Sequence, residues 1–249
     1  MLKPNQIAQN YLAVGEAKVK QTTLKTFVLA ILAGAFIAFA GVGATFGNVY
    51  GGKHVGAFIF PGGLAMVILA GSELFTGNCL LIIPFMEGKI KGTQMLKNLA
   101  VVYLGNFVGA LFVSLITVYG GAFDGIAQTV VGVAETKATL GFLPAFFKGV
   151  ACNILVCLAV WMGFSAETAG GKIAAILFPI AIFVIAGFEH SVANMFYLPA
   201  GFFTQLKMGV SAEGLTVVNA LLNNLIPVTL GNIVGGMGLG IIYNYVYNR

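Results

Sequence analysis

Hydrophobic residues run through this chain in long blocks, and the few charges fall between them. Thr26–Gly52, Asn98–Phe123, Gly149–Ala166 and Gly214–Asn248 are uncharged. Two further reaches each hold a single acid: His54–Met86 contains Glu73, and Ile173–Leu206 contains Glu189. A bilayer core needs about 20 apolar residues to be crossed as a helix. The pattern therefore predicts six membrane spans, the fourth near the lower limit of length.

The second and fifth predicted spans differ from the others. Both are long and Gly-rich, with prolines towards their ends (Pro61, Pro84, Pro179, Pro199). Each repeats the same local spacing. Ala70-Gly71 precedes Glu73 and Asn78 follows it by five places; Ala186-Gly187 precedes Glu189 and Asn194 follows it by five places. Broken segments at matching places in two halves point to an inverted repeat with a site at the midplane. Leu104-Gly105-Asn106 in span three and Leu230-Gly231-Asn232 in span six extend the match. An odd number of spans per half makes the halves enter from opposite sides. The predicted fold is all-α: six transmembrane helices as an inverted 3+3 repeat with broken second and fifth helices. Its parts are one channel domain over 1–249, with a cytoplasmic amphipathic segment at 1–25, a first repeat at 26–123 and a second at 142–248.

Composition agrees with a lipid-embedded chain. Apolar residues make up 59% and charged residues 8%, against about 25% charged in soluble proteins. The thirteen basic residues are scattered, so the net charge of +5 predicts no nucleic-acid partner. Lys3, Lys18, Lys20, Lys25, Lys89, Lys91, Lys97, Lys172 and Arg249 fall on one side of the predicted topology, and Lys53, Lys137, Lys148 and Lys207 on the other. The positive-inside rule puts both termini in the cytoplasm; the expected location is the cell (inner) membrane. Residues 5–22 read either as an amphipathic helix on that face or as a solvated tail.

No metal-ligand spacing, phosphate loop or nucleophile–base set appears, so the sequence predicts no enzyme, no metal and no cofactor. Cys79, Cys152 and Cys157 read as small packing residues. Lone charges in lipid cost roughly 2.5–3.5 kcal/mol or more, which singles out Glu73, Glu189 and His190. An imidazole can exchange protons near neutrality, or it can tie two helices together. Glu73 and Glu189 are expected to organise the backbone freed at each break, with a proton relay as the alternative. Thr76 offers a hydroxyl to an anion or to its own helix. Asn153 either orients His190 or bridges helices. Lys137 reads as an isolated outer cation that would concentrate anions at a pore mouth, or as a solvated lysine.

Gly71-Ser72-Glu73-Leu74-Phe75-Thr76-Gly77-Asn78 and Gly187-Phe188-Glu189-His190-Ser191-Val192-Ala193-Asn194-Met195 resemble the two signatures of the formate/nitrite transporter family. Cys152 to Trp161 and Asn224 to Gly236 resemble its fourth and sixth helices. The resemblance spans nearly the whole chain. It implies an aquaporin-like outline, a homopentamer in the lipid bilayer with one pore per subunit, and passage of small weak-acid anions with protons, the permeant being protonated near the central His190. Formate is the first expectation; nitrite, hydrosulfide or a tightly proton-coupled symport are the alternatives. It further implies that His190 faces Thr76 and leans on Asn153, and that Lys137 stands in the outer vestibule. Two apolar slits would flank the histidine, with Phe60, Leu64 and Phe183 at the outer one and Leu74 with Val156 at the inner one. Glu73, Asn78, Glu189 and Asn194 would be structural polar residues.

Overall fold

The computed structural model describes residues 1–249 and contains helices but no strands. Helix α1 (Pro4–Lys20) precedes α2 (Thr23–Gly51), whose first turn is capped by the Thr22 hydroxyl. Short helices α3 (Lys53–Ile59) and α4 (Pro61–Leu69) lead into a break. Beyond it lie α5 (Phe75–Asn78), a 3-10 turn (Cys79–Leu81) and α6 (Ile82–Met86). Helix α7 (Gly92–Tyr119) closes the first half. Helix α8 (Ala127–Ala138) connects it to α9 (Phe142–Ser165) and α10 (Ala169–Ala186). After a second break come α11 (Ser191–Met208), α12 (Val217–Ala220), a π turn (Leu221–Leu225) and α13 (Ile226–Asn248).

Five helical stretches are long and apolar enough to cross a membrane: α2, α7, α9, α10 and residues 217–248; Lys53–Leu69 and Phe75–Met86 are shorter apolar helices. This is a multi-pass membrane protein. The second predicted span is α3 to α6, and the fifth is α10 with α11.

Glycine, not proline, makes each break. Gly71 and Gly187 adopt φ of +72° and +70°, a left-handed turn that a side chain would strain. Pro61 merely opens α4, and Pro179 and Pro199 lie inside intact helices.

The halves are framed by two close helix pairs. Helix α2 packs along α7, and α9 along α13. A Cβ on Gly109 would overlap the Ile31 carbonyl, and one on Gly235 the Val150 carbonyl. In lipid, where apolar surface gains little by leaving the solvent, such small-residue contacts and buried hydrogen bonds hold helices together. Residues 5–22 are not a loose tail. Ile7, Ala8, Tyr11 and Leu12 of α1 are buried, Tyr11 stacks edge-on against Phe164 at 5.3 Å, and Gln9 bonds Asn248 at 3.0 Å. Both termini therefore meet on one side, here called the terminal side.

Candidate functional site

Each break frees backbone groups that lipid cannot satisfy. One asparagine answers each. Asn106 on α7 accepts from Phe75 N at 2.9 Å and donates to the carbonyls of Glu73 at 2.9 Å and Ala30 at 2.8 Å. Asn232 on α13 accepts from Ser191 N at 2.9 Å and donates to the carbonyls of Glu189 at 3.0 Å and Gly149 at 2.8 Å. From the sequence pattern this backbone role is expected of the two glutamate side chains. Their carboxylates instead face lysines, and the asparagines do the work because an amide can donate and accept at once.

The carboxylates centre two matched polar clusters. Glu73 accepts from Lys18 Nζ at 2.8 Å and Asn78 Nδ2 at 2.6 Å, and Asn78 also donates to Asn98 at 2.9 Å. Glu189 accepts from Lys137 Nζ at 2.9 and 3.0 Å and Asn194 Nδ2 at 2.7 Å, and Asn194 also donates to Asn224 at 2.7 Å. Lys137 is thus not an isolated cation: its side chain is 16% exposed and ion-paired. Its counterpart is Lys18, 19% exposed, supplied by α1.

Three cavities lie in series between these clusters. The terminal-side cavity, about 210 Å³, is lined by residues including Tyr11, Lys18, Ser72, Glu73, Asn78 and Lys172. The far cavity, about 170 Å³, is lined by residues including Thr45, Asn48, Lys137, His190, Asn194 and Tyr197. Between them is a void of about 10 Å³ lined by Ile37, Phe60, Leu64, Leu74, Val156, Ile180, Phe183 and His190. Leu64 and Leu74 also line the terminal-side cavity; Phe60, Phe183 and His190 also line the far one. A void of this size sits at the limit for holding one water and is walled by apolar groups.

All five residues expected at constrictions meet in this one plug. The arrangement differs from two slits flanking a histidine, because His190 stands at the far edge and Leu64 adjoins the terminal side. Ile37 and Ile180 belong to the plug as well. In the sequence they are apolar residues on apolar helices, with no signal to mark them. The match between halves sets Leu74 and His190 at the same place, each just after its glutamate. His190 is the polar departure in an otherwise apolar ring.

His190 is 3% exposed. It is the N-cap of α11, and its Nδ1 accepts from Ala193 N at 3.1 Å. A neutral ring that accepts at Nδ1 carries its hydrogen on Nε2. Nε2 lies 2.8 Å from Thr76 Oγ1, so the ring donates there and the hydroxyl keeps a hydrogen to give. Phe183 stacks on the imidazole at 6.0 Å and meets Phe60 edge-on at 5.7 Å.

Asn153 does not bond His190. Its amide donates to the carbonyls of Thr76 at 3.2 Å and Asn232 at 2.6 Å, so it acts on Thr76 and bridges helices. Cys157 Sγ also reaches the Thr76 carbonyl at 3.3 Å, and Cys79 Sγ the Phe75 carbonyl at 3.6 Å. No cluster of three His, Cys, Asp or Glu side chains suited to a metal is present.

A multi-pass helical membrane protein with two polar cavities on either side of a narrow, mostly apolar void has the build of a transporter or channel. The chain belongs to the formate/nitrite transporter family, whose profile matches residues 5–246. It is 39% identical to the formate channel FocA of Haemophilus influenzae, covering 92% of this chain and 89% of that one. It is likewise 39% identical to a probable formate transporter of Methanothermobacter thermautotrophicus, over 98% of this chain and 96% of that one. Among solved structures it resembles an FNT family ion channel, with a TM-score of 0.88, 33% identity and coverage of 96% of this chain and 98% of the other. It also resembles a pentameric formate channel with formate bound, with a TM-score of 0.79, 35% identity and coverage of 91% and 98%.

Proposed function

We propose that this protein is a weak-acid channel that passes formate together with a proton, as a homopentamer with one pore per subunit and both termini in the cytoplasm. The observation that carries the reading is the plug. A bare anion loses its hydration in an apolar void, which is far more costly than moving a neutral molecule there. Burial also favours the neutral form of an acid. Formate drawn to a lysine-lined vestibule would take up one proton, cross as formic acid, and release that proton on the other side.

Thr76 and His190 would guide the permeant at the edge of the plug. The Thr76 hydroxyl has a hydrogen to offer a carboxyl oxygen, and His190 holds the hydroxyl in place. The lysine distribution supports the orientation, and the matched clusters around Glu73 and Glu189 support an inverted repeat. Formate as permeant and the pentamer rest on the named relatives.

The test is flux into liposomes carrying the purified protein, with formate, nitrite and hydrosulfide compared across external pH while internal pH is recorded. Formate uptake should rise as external pH falls and should acidify the interior with each anion carried. Formate uptake that moves no protons would overturn the neutral-crossing mechanism. Faster flux of nitrite or hydrosulfide would reassign the permeant.

A further inference from the structure

The two vestibules are not equivalent, and the differences fall on polar groups. Ser72 precedes Glu73, and Phe188 holds the same place before Glu189. Lys172 lies seventeen residues before Glu189, and Gly56 lies seventeen before Glu73. Both Ser72 and Lys172 line the terminal-side cavity.

Each is uncommitted. Ser72 is 7% exposed, and its buried hydroxyl has no hydrogen-bond partner. A buried hydroxyl left unpaired carries a real cost unless something accepts from it. Lys172 is half-buried and makes no ion pair. The other charged groups lining this cavity are Lys18 and Glu73, which bond each other at 2.8 Å. The cavity thus holds one positive charge in excess and a buried hydroxyl, that of Ser72, with no partner. The far cavity has Lys137, bonded to Glu189, and no second cation.

We infer that Lys172 and Ser72 form an anion site on the terminal side with no equivalent on the far side. Its ligand is a small carboxylate or comparable oxyanion, which accepts from the ammonium and from the hydroxyl. Capture is then one-sided: anions that enter from the terminal side meet the site before the plug, whereas anions that enter from the far side reach it only after crossing. This inference rests on the channel reading above for its effect on flux, but not for the site itself.

Two measurements test it on the purified full-length protein and on vesicles. The first is thermal melting in detergent with formate against chloride at equal ionic strength, since a ligand that binds the folded state raises its melting temperature. Formate should stabilise the wild type, and Lys172→Gln and Ser72→Ala should each reduce the shift, with Lys172→Arg restoring part of it. Equal shifts in wild type and both variants overturn the site, whatever the flux. A loss with Lys172→Gln but not Ser72→Ala also overturns it, because charge alone would then suffice.

The second is formate flux in right-side-out and everted membrane vesicles. A charge-assisted hydrogen bond corresponds to about tenfold in affinity. Lys172→Gln should therefore raise the half-saturating formate concentration about tenfold from the terminal side, and Ser72→Ala about threefold, with little change from the far side. Equal changes from both sides overturn the one-sided effect. If the variants lose the thermal shift while the wild type carries no formate on either face, the site stands and the channel reading falls.

Discussion

Lys137 Nζ bridges the two carboxylate oxygens of Glu189, at 2.9 and 3.0 Å, with the Glu189 side chain only 6% exposed. The lysine is as much a part of the frame as of the vestibule. Removing one partner of a buried ion pair leaves an uncompensated charge and costs about 3–5 kcal/mol. Lys137→Met should therefore lower the melting temperature of the detergent-solubilised protein as well as slow anion entry. An acidic residue at 137 should do more harm, since it would set two carboxylates together. In the double variant Lys137→Met, Glu189→Gln much of the stability should return. A melting temperature unaffected by Lys137→Met would show that the pair contributes nothing to the fold.

Asn106 and Asn232 should be among the least replaceable residues outside the plug. Each makes three bonds to backbone that has no water to turn to. Each orphaned buried group costs about 1–3 kcal/mol, so Asn232→Ala should destabilise by on the order of 3 kcal/mol or more. Asn232→Asp loses the donor and should fare no better. Yield and elution profile on size exclusion check this; normal assembly of Asn232→Ala would count against it.

Widening the plug should relax size selection. Phe183→Ala and Leu74→Ala remove bulk from opposite ends of the 10 Å³ void. The flux of acetate or lactate relative to formate should rise on the order of tenfold, the scale on which apolar pockets discriminate size. Unchanged ratios in liposomes for both variants would mean that the plug does not select.

His190→Asn separates proton handling from folding. Asparagine is a good N-cap, so its oxygen can take over the bond from Ala193 N that His190 Nδ1 now accepts. It cannot carry a proton. The variant should fold and conduct, with an altered ratio of protons to anions as recorded by internal pH beside anion uptake. A wild-type ratio at every pH would make His190 a hydrogen-bonding post only.

Much of this architecture is written in spacing. The shared runs around Glu73 and Glu189, with Asn78 and Asn194 five places on, mark both breaks because a membrane-buried acid needs a built environment. Lys18 is hidden from such reading. It sits fifty-five residues before Glu73, on a segment whose mixed pattern suits a tail as well as a helix. The asparagines at 106 and 232 stand in visibly repeated motifs, yet their role depends on which carbonyls the fold brings to them. Asn153 shows the same limit: its neighbourhood was legible, but whether it met the ring or the Thr76 carbonyl turned on helix rotation. Ile37 and Ile180 leave no trace in sequence, since nothing separates a plug isoleucine from one that faces lipid.

The small size of the void between the two cavities has an electrical consequence. Where water and salt fill both vestibules, they carry the potential of each compartment inward, and the membrane voltage falls across the few residues around Leu74 and His190. The local field there would then exceed that of the surrounding bilayer. Each net charge moved through it would gain or lose about 2.3 kcal/mol per 100 mV. A neutral molecule crosses the same field without being pulled by it, so this pore would insulate against stray ions while leaving its own traffic nearly blind to voltage.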